Sequence, residues 1–194
     1  MGYTIPDMSE FLNSTINSVI ALIVAITVHE FSHAWAADRL GDPTPRSRGR
    51  LTLNPLAHLD PIGTIMLFIA HFGWGKPVPI DPFNLRHPKR DYLYIALAGP
   101  ASNILLAILV TLVAKLFFIP LFYYLIVINI SLAIFNLLPF HPLDGSHIFP
   151  DLFPGNTGYL ILIFLILPIF NNTSLISLLI SPVINFCLNL LLAI

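Results

Sequence analysis

The sequence predicts an all-α polytopic membrane protein, with about five to six membrane segments, one of them short and re-entrant, joined by irregular connections. Three observations carry that prediction. Of the 194 residues, 56% are apolar and only 10% are charged, against roughly 25% charged in ordinary soluble domains. The mean hydropathy is +0.83. The apolar residues also fall into long runs rather than into the short alternations of a half-buried sheet. A soluble fold of this size would lack the polar side chains needed to cover such a core. One membrane-embedded domain over 1–194 accounts for the length, with a core over 11–150 and an accessory C-terminal helical hairpin over 157–194. The net charge of -1 points to no partner, and no basic patch suits nucleic acid. The single cysteine, Cys187, excludes an intrachain disulfide and a cysteine-rich metal site.

The apolar runs lie at 11–37, 62–72, 92–119, 121–138, 157–170 and 174–194. The opening "MGYTIPDMSEFLNS" lacks the positive start of a secretory signal, so the first run is expected to stay as a helix. The first, third and fourth runs are long enough to cross a hydrocarbon core of about 30 Å. The run "IGTIMLFIAHF" is too short to span and reads as a re-entrant segment. "NNTS" separates the last two runs, which predicts a tight helical hairpin kinked at Pro168 and Pro182. Eight of the nine basic residues lie between Arg39 and Arg90, in the clusters "RSRGR" and "RHPKR" on either side of the short run. With both clusters cytoplasmic, the first helix runs inward, the third run returns, and the fourth comes back. The end of the first helix and the loop after residue 138 then share the cytoplasmic face of a multi-pass protein, expected in a prokaryotic cell membrane.

The first run carries His29-Glu30-Phe31-Ser32-His33, an H-E-x-x-H pattern. Helix positions four apart differ by about 40° around the axis, so both imidazoles share a face and can bind one Zn²⁺. Glu30 lies about 100° from His29, within reach of a water on that metal without being a ligand. In such sites the metal acidifies the water and the glutamate takes its proton. The pattern also arises by chance in soluble proteins. In a lipid-embedded helix, however, ionisable groups are rare and normally functional, and this chain has only two glutamates.

A tetrahedral catalytic site needs a third protein ligand. No glutamate follows Glu30, and Ala36 and Arg39 break the extended H-E-x-x-H-x-x-G-x-x-H form. Asp38 faces away from His29 on the helix. Asp42, Asp60, Asp81 and Asp91 sit in loops or at segment ends, where solvation or capping is expected. The remaining candidate is Asp144 in "NLLPFHPLDG", where Pro139 and Pro142 stop the helix and Gly145 permits a sharp turn. An aspartate on irregular backbone at membrane depth is tolerated when it lines a polar cavity. The topology puts it on the same side as His29 and His33. His141 and His147 flank it, as loop histidines or as supporting or substitute ligands.

Three motifs in order resemble the site-2 protease family of intramembrane zinc metalloproteases. They are His29-Glu30-x-x-His33, then Gly99-Pro100-Ala101-Ser102-Asn103, then Asn136-x-x-Pro139-x-x-x-x-Asp144-Gly145. The segments "RGRLTLNPLAHLDPIGTI" and "GWGKPVPIDPFNLRHPKR" are similar to that family's connections, and the likeness covers roughly residues 20–150. The resemblance is to a minimal branch without PDZ or CBS domains. It implies His29, His33 and Asp144 as zinc ligands and Glu30 as the catalytic base. It further implies Asn103 and Asn136 as polar residues near the catalytic centre, positioning substrate or stabilising the oxyanion. Each has a plainer reading: Asn103 could bond across a helix interface, and Asn136 could cap a helix end. Gly99-Pro100 is expected to let its helix pack closely on the one bearing the histidines. His58, His71 and His87 are expected to be structural.

The implied activity is zinc-dependent hydrolysis of peptide bonds in or near transmembrane helices, as in regulated intramembrane proteolysis. The implied partners are transmembrane protein substrates, the lipid bilayer and a regulatory membrane protein. A metal transporter using the same His/Asp site is the alternative from another class. Carriers commonly show internal repeats, which this sequence lacks, and transport would not require Glu30.

Overall fold

The computed structural model describes residues 8–63, 75–153, 156–170 and 173–193. Most of the expected re-entrant run at 62–72, with His71, lies outside the described residues. The chain is mainly helical. Helix α1 covers Met8–Leu40, and a single turn, α2, covers Thr44–Ser47. Two 3-10 turns follow at Pro55–Ala57 and Pro82–Asn84. Then come α3 (Pro88–Ala114), α4 (Pro120–Asn136), the short α5 (Gly145–Ile148), α6 (Thr157–Ile166) and α7 (Leu175–Ala193). Proline sits in the first turn of α3 and α4, where its missing N–H costs nothing and its fixed φ suits a helix start.

Among the described residues, two helices are long and apolar enough to cross a membrane, Leu12–Leu40 and Pro88–Ala114. Helix α4 has 17 residues and falls short of the roughly 20 expected for a crossing. The chain around "NNTS" also differs from a helical hairpin. Pro168–Phe170 and Thr173–Ser174 pair there as a small antiparallel ribbon, β1 and β2, between α6 and α7. Leu167 leaves α6 in an extended conformation just before Pro168, because the residue before proline is pushed out of the helical region.

Helices α1, α3 and α4 pack against one another, and one row of α1 explains how closely. Ala21, Ala25, His29, His33 and Ala37 recur every fourth position and are all buried. Small side chains in a row let helix backbones approach, the dominant packing device where lipid removes the hydrophobic incentive. The two histidines interrupt that alanine row. Ala36 and Ala37 pack with Leu85 and Ile95 near the start of α3, while Ala107, Ile126 and Ile130 join Leu191 of α7 further along. Leu143, Leu162 and Ile176 tie α6 and α7 to the loop after α4. Outward-facing apolar residues such as Leu105, Leu109, Leu112 and Phe118 are exposed along α3 and just beyond it, as a lipid-facing surface requires.

The polar connections converge on Asp42, which is fully buried rather than solvated. Its carboxylate accepts from Thr44 N (3.0 Å), Asp81 N (2.8 Å) and Asn84 Nδ2 (3.1 Å), joining the end of α1 to the turn before α3. Burial alone would raise its pKa, but these donors outweigh that and hold the carboxyl below the usual aspartate range. Asp38 forms a bidentate pair with Arg46, and Asp91 accepts from His87 N at the start of α3. Asp42→Asn is expected to destabilise the detergent-solubilised chain by about 1–3 kcal/mol at neutral pH. A depressed native pKa gives stability that is present above the unfolded value, near 3.9, and lost as pH falls through the native value. Thermal melts of both proteins should therefore differ at pH 7 and converge in acid.

Candidate metal centre

The four-residue spacing places the rings of His29 and His33 on one side of α1, with Nε2 atoms 3.0 Å apart. Both rings are oriented from behind. His29 Nδ1 lies 2.6 Å from Asn103 Oδ1, and His33 Nδ1 lies 2.7 Å from the carbonyl of Ile95, both on α3. An amide oxygen and a backbone carbonyl only accept, so each Nδ1 carries the hydrogen and each Nε2 of a neutral ring is bare. Asn103 is fixed in turn: its Nδ2 donates to Ala25 O (3.1 Å) and to Asn129 Oδ1 (2.7 Å).

Asp144 comes from the irregular segment between α4 and α5. Leu137 ends α4, and Gly145 packs so tightly on the carbonyls of Leu137 and Leu138 that an added Cβ would overlap them. The chain therefore folds back at this point and turns Asp144 towards α1. Its Oδ2 stands 3.0 Å from His29 Nε2 and 3.3 Å from His33 Nε2. That oxygen is buried and has no hydrogen-bond partner. Three bare lone-pair atoms at this separation repel one another unless positive charge lies between them. Ligand atoms about 2.0–2.1 Å from a tetrahedral zinc lie about 3.3 Å apart. The spacing and the N, N, O donor set both fit that ion, and His29, His33 and Asp144 are the residues that could hold it.

Gly99 makes the arrangement sterically feasible. A Cβ there would overlap His33 Nε2 and lie 2.7 Å from His29 Cε1, so only glycine lets α3 pass beside both imidazoles. Glu30 follows His29 on α1, and the segment at Gly75 runs close beside it: a Cβ there would lie 3.0 Å from Ile26 Cγ2 and 3.5 Å from Glu30 Oε1.

Several residues fell outside the sequence reading. Arg50, in a cluster read only as a topology signal, is 5% exposed and bonds to the carbonyls of Lys76 and Pro77. Its guanidinium lies 4.0 Å from Glu30 Oε2. Asn129 carried no motif and no periodic signal, yet it contacts Asn103 directly. Asn136, by contrast, donates to Leu132 O within α4. His141 pairs with Ser146 and stacks on Tyr159 of α6, while His147 meets Tyr92 edge-on. His58 is buried, bonded to Thr52 O.

Comparison with known proteins identifies the family. The family model described as Peptidase family M50 matches residues 113–162, which include α4 and the Asp144 segment. The chain is 40% identical over 150 residues to the "Putative zinc metalloprotease YwhC" of Bacillus subtilis, covering 70% of this chain and 68% of that protein. It is 35% identical over 136 residues to the "Putative zinc metalloprotease Rip2" of Mycobacterium tuberculosis, covering 63% of this chain but 52% of that protein. It is 28% identical to the "Zinc metalloprotease MJ0392" of Methanocaldococcus jannaschii over 73% of this chain and 35% of that protein. No solved structure matches the chain. The chain belongs to peptidase family M50, the membrane-embedded site-2 protease family of zinc-dependent metalloproteases.

Zinc analysis of detergent-purified protein should find about one ion per chain in wild type and in Glu30→Gln, and far less in Asp144→Ala. Gly99→Ala is expected to destabilise the chain by about 1–3 kcal/mol through overpacking and to lower zinc retention with it. Thermal melts and metal content, read on the same sample, check both.

Proposed function

We propose that the chain is an intramembrane protease that hydrolyses peptide bonds in or near transmembrane helices of other membrane proteins, in regulated intramembrane proteolysis. The observation that carries this reading is the bare His29–His33–Asp144 triad beside Glu30, built into helices whose outer surface is apolar. A bilayer-embedded site of this kind meets other membrane proteins first. Its substrates are transmembrane proteins, and a regulatory membrane partner controls their access. The chain crosses a prokaryotic cell membrane in about five to six segments, including the short re-entrant one. The site is assigned to the cytoplasmic side because the basic clusters lie beyond the end of α1 and at the start of α3, where the positive-inside rule puts the cytoplasm.

His29, His33 and Asp144 would hold the zinc, which would supply a Lewis acid and acidify a water at the site. Glu30, next to His29 on α1, is the general base that would accept a proton from the attacking water and return it to the leaving amine. Arg50, 4.0 Å from Glu30 Oε2, holds the carboxylate in place beside the triad. Asn103 holds His29 with Nε2 towards the metal, and Ile95 O does the same for His33. Asn136, in the last turn of α4 ahead of Asp144, is assigned to substrate positioning or oxyanion stabilisation, for which its amide would have to leave Leu132 O. The substrate helix must unwind before attack, because helical carbonyls are hydrogen-bonded and shielded.

Cleavage of a transmembrane substrate in proteoliposomes should fall about 10²–10⁴-fold in Glu30→Gln with zinc retained. Full activity in that variant would overturn the mechanism. Zinc uptake into liposomes that survives the substitution would favour a transporter. A helix-breaking residue near the scissile bond should speed cutting, and replacing it by leucine should slow it.

A further inference from the structure

We propose that Asn129 is a positioning residue for the metal centre, acting through Asn103 to fix which nitrogen of His29 faces the metal. The proposal rests on the metal-site reading above. Four groups form one buried relay from α4 to α1. Asn129 Nδ2 donates to the carbonyl of Leu125 one turn back (2.8 Å). Its Oδ1 must then point the other way, and it accepts from Asn103 Nδ2 at 2.7 Å. Asn103 Oδ1 is thereby turned to His29 Nδ1, 2.6 Å away. Asn103 and Asn129 are both fully buried, so water cannot substitute for either.

The order of donors and acceptors is forced. The Leu125 and Ala25 carbonyls only accept, so each takes an amide N–H and neither asparagine can flip without facing oxygen to oxygen. With both amides fixed, His29 must carry its hydrogen on Nδ1 and present a bare Nε2 to Asp144 and His33. Removing Asn129 leaves one Asn103 N–H buried without an acceptor. That leaves Ala25 O alone to hold Asn103 Oδ1 on His29, and a ring hydrogen on Nε2, where it opposes a cation, becomes less disfavoured. Asn129 touches neither metal nor substrate. Its effect is carried wholly through Asn103.

The test is zinc affinity of the purified full chain, measured by competition with a chelator. Asn129→Leu should weaken zinc binding about tenfold, at the low end of the range for groups that orient a ligand. Asn129→Asp should restore near wild-type affinity, since a protonated carboxyl can donate to Leu125 O and accept from Asn103. In an Asn103→Ala background, Asn129→Leu should add nothing further. Wild-type affinity in Asn129→Leu, or full additivity with Asn103→Ala, would overturn the proposal. Asp144→Ala separates the two readings: strong zinc loss there beside an unaffected Asn129→Leu sinks only the relay, whereas wild-type zinc in Asp144→Ala sinks both. Should Asn129→Leu fail to fold, nitrogen-15 NMR of zinc-free wild type decides, with the His29 signal assigned by its loss in His29→Gln. An Nδ1–H ring supports the relay, and an Nε2–H ring overturns it.

Discussion

Two imidazole nitrogens and one carboxylate oxygen, none with a hydrogen to share, meet at 3.0–3.3 Å in the middle of the fold. Left alone, such a cluster is repulsive, and the surrounding structure makes sense as the means of holding it together. The alanine row on α1 brings the neighbouring helices close enough to reach the rings. Gly99 removes the side chain that would block them, and Gly145 turns the chain after α4 back towards α1. Together they bring three ligand atoms to one point, at the separation that a zinc ion would require.

The membrane sharpens the requirement. Within hydrocarbon no water can satisfy a stray donor or acceptor, so a polar site must be closed on itself. Every ring nitrogen facing away from the triad has an acceptor, and those acceptors are in turn anchored to backbone: Asn103 on Ala25, Asn129 on Leu125, and the Ile95 carbonyl within α3. What the network leaves unsatisfied is Asp144 Oδ2, at the place where a metal would supply the missing interaction. Among the described residues the other buried side-chain atom without a partner is Arg50 Nε, a donor on the guanidinium beside Glu30, so Asp144 Oδ2 is the orphaned acceptor.

The parts of the site that sequence could express were those set by local geometry. The histidines lie four apart on one helix, so their shared face follows from helical periodicity, and Asp144 announces itself by prolines and glycine where a helix would otherwise continue. Asn129 and Arg50 gave no such signal. Asn129 meets Asn103 across two helices, 26 positions apart, and one asparagine in an apolar run looks like another; the motif pointed to Asn136 instead. Arg50 sat in a cluster that charge topology alone explained, although it is buried against the Lys76 and Pro77 carbonyls. The helical character of the fold was legible in the apolar runs, whereas the ribbon around "NNTS" was not. There Pro168 ends the helical path early, and the backbone of Pro168–Phe170 pairs with that of Thr173–Ser174.

The central claim is that His29, His33 and Asp144 together bind one zinc, and zinc-edge X-ray absorption of the metal-loaded chain tests it most directly. The metal-loaded chain should show a first shell of about four nitrogen or oxygen atoms near 2.0–2.1 Å, with the multiple-scattering signature of two imidazoles and no sulfur. In Asp144→Ala that spectrum should change or vanish. Three imidazoles, which would bring His141 or His147 into the shell, or a spectrum unaltered in Asp144→Ala, would contradict it.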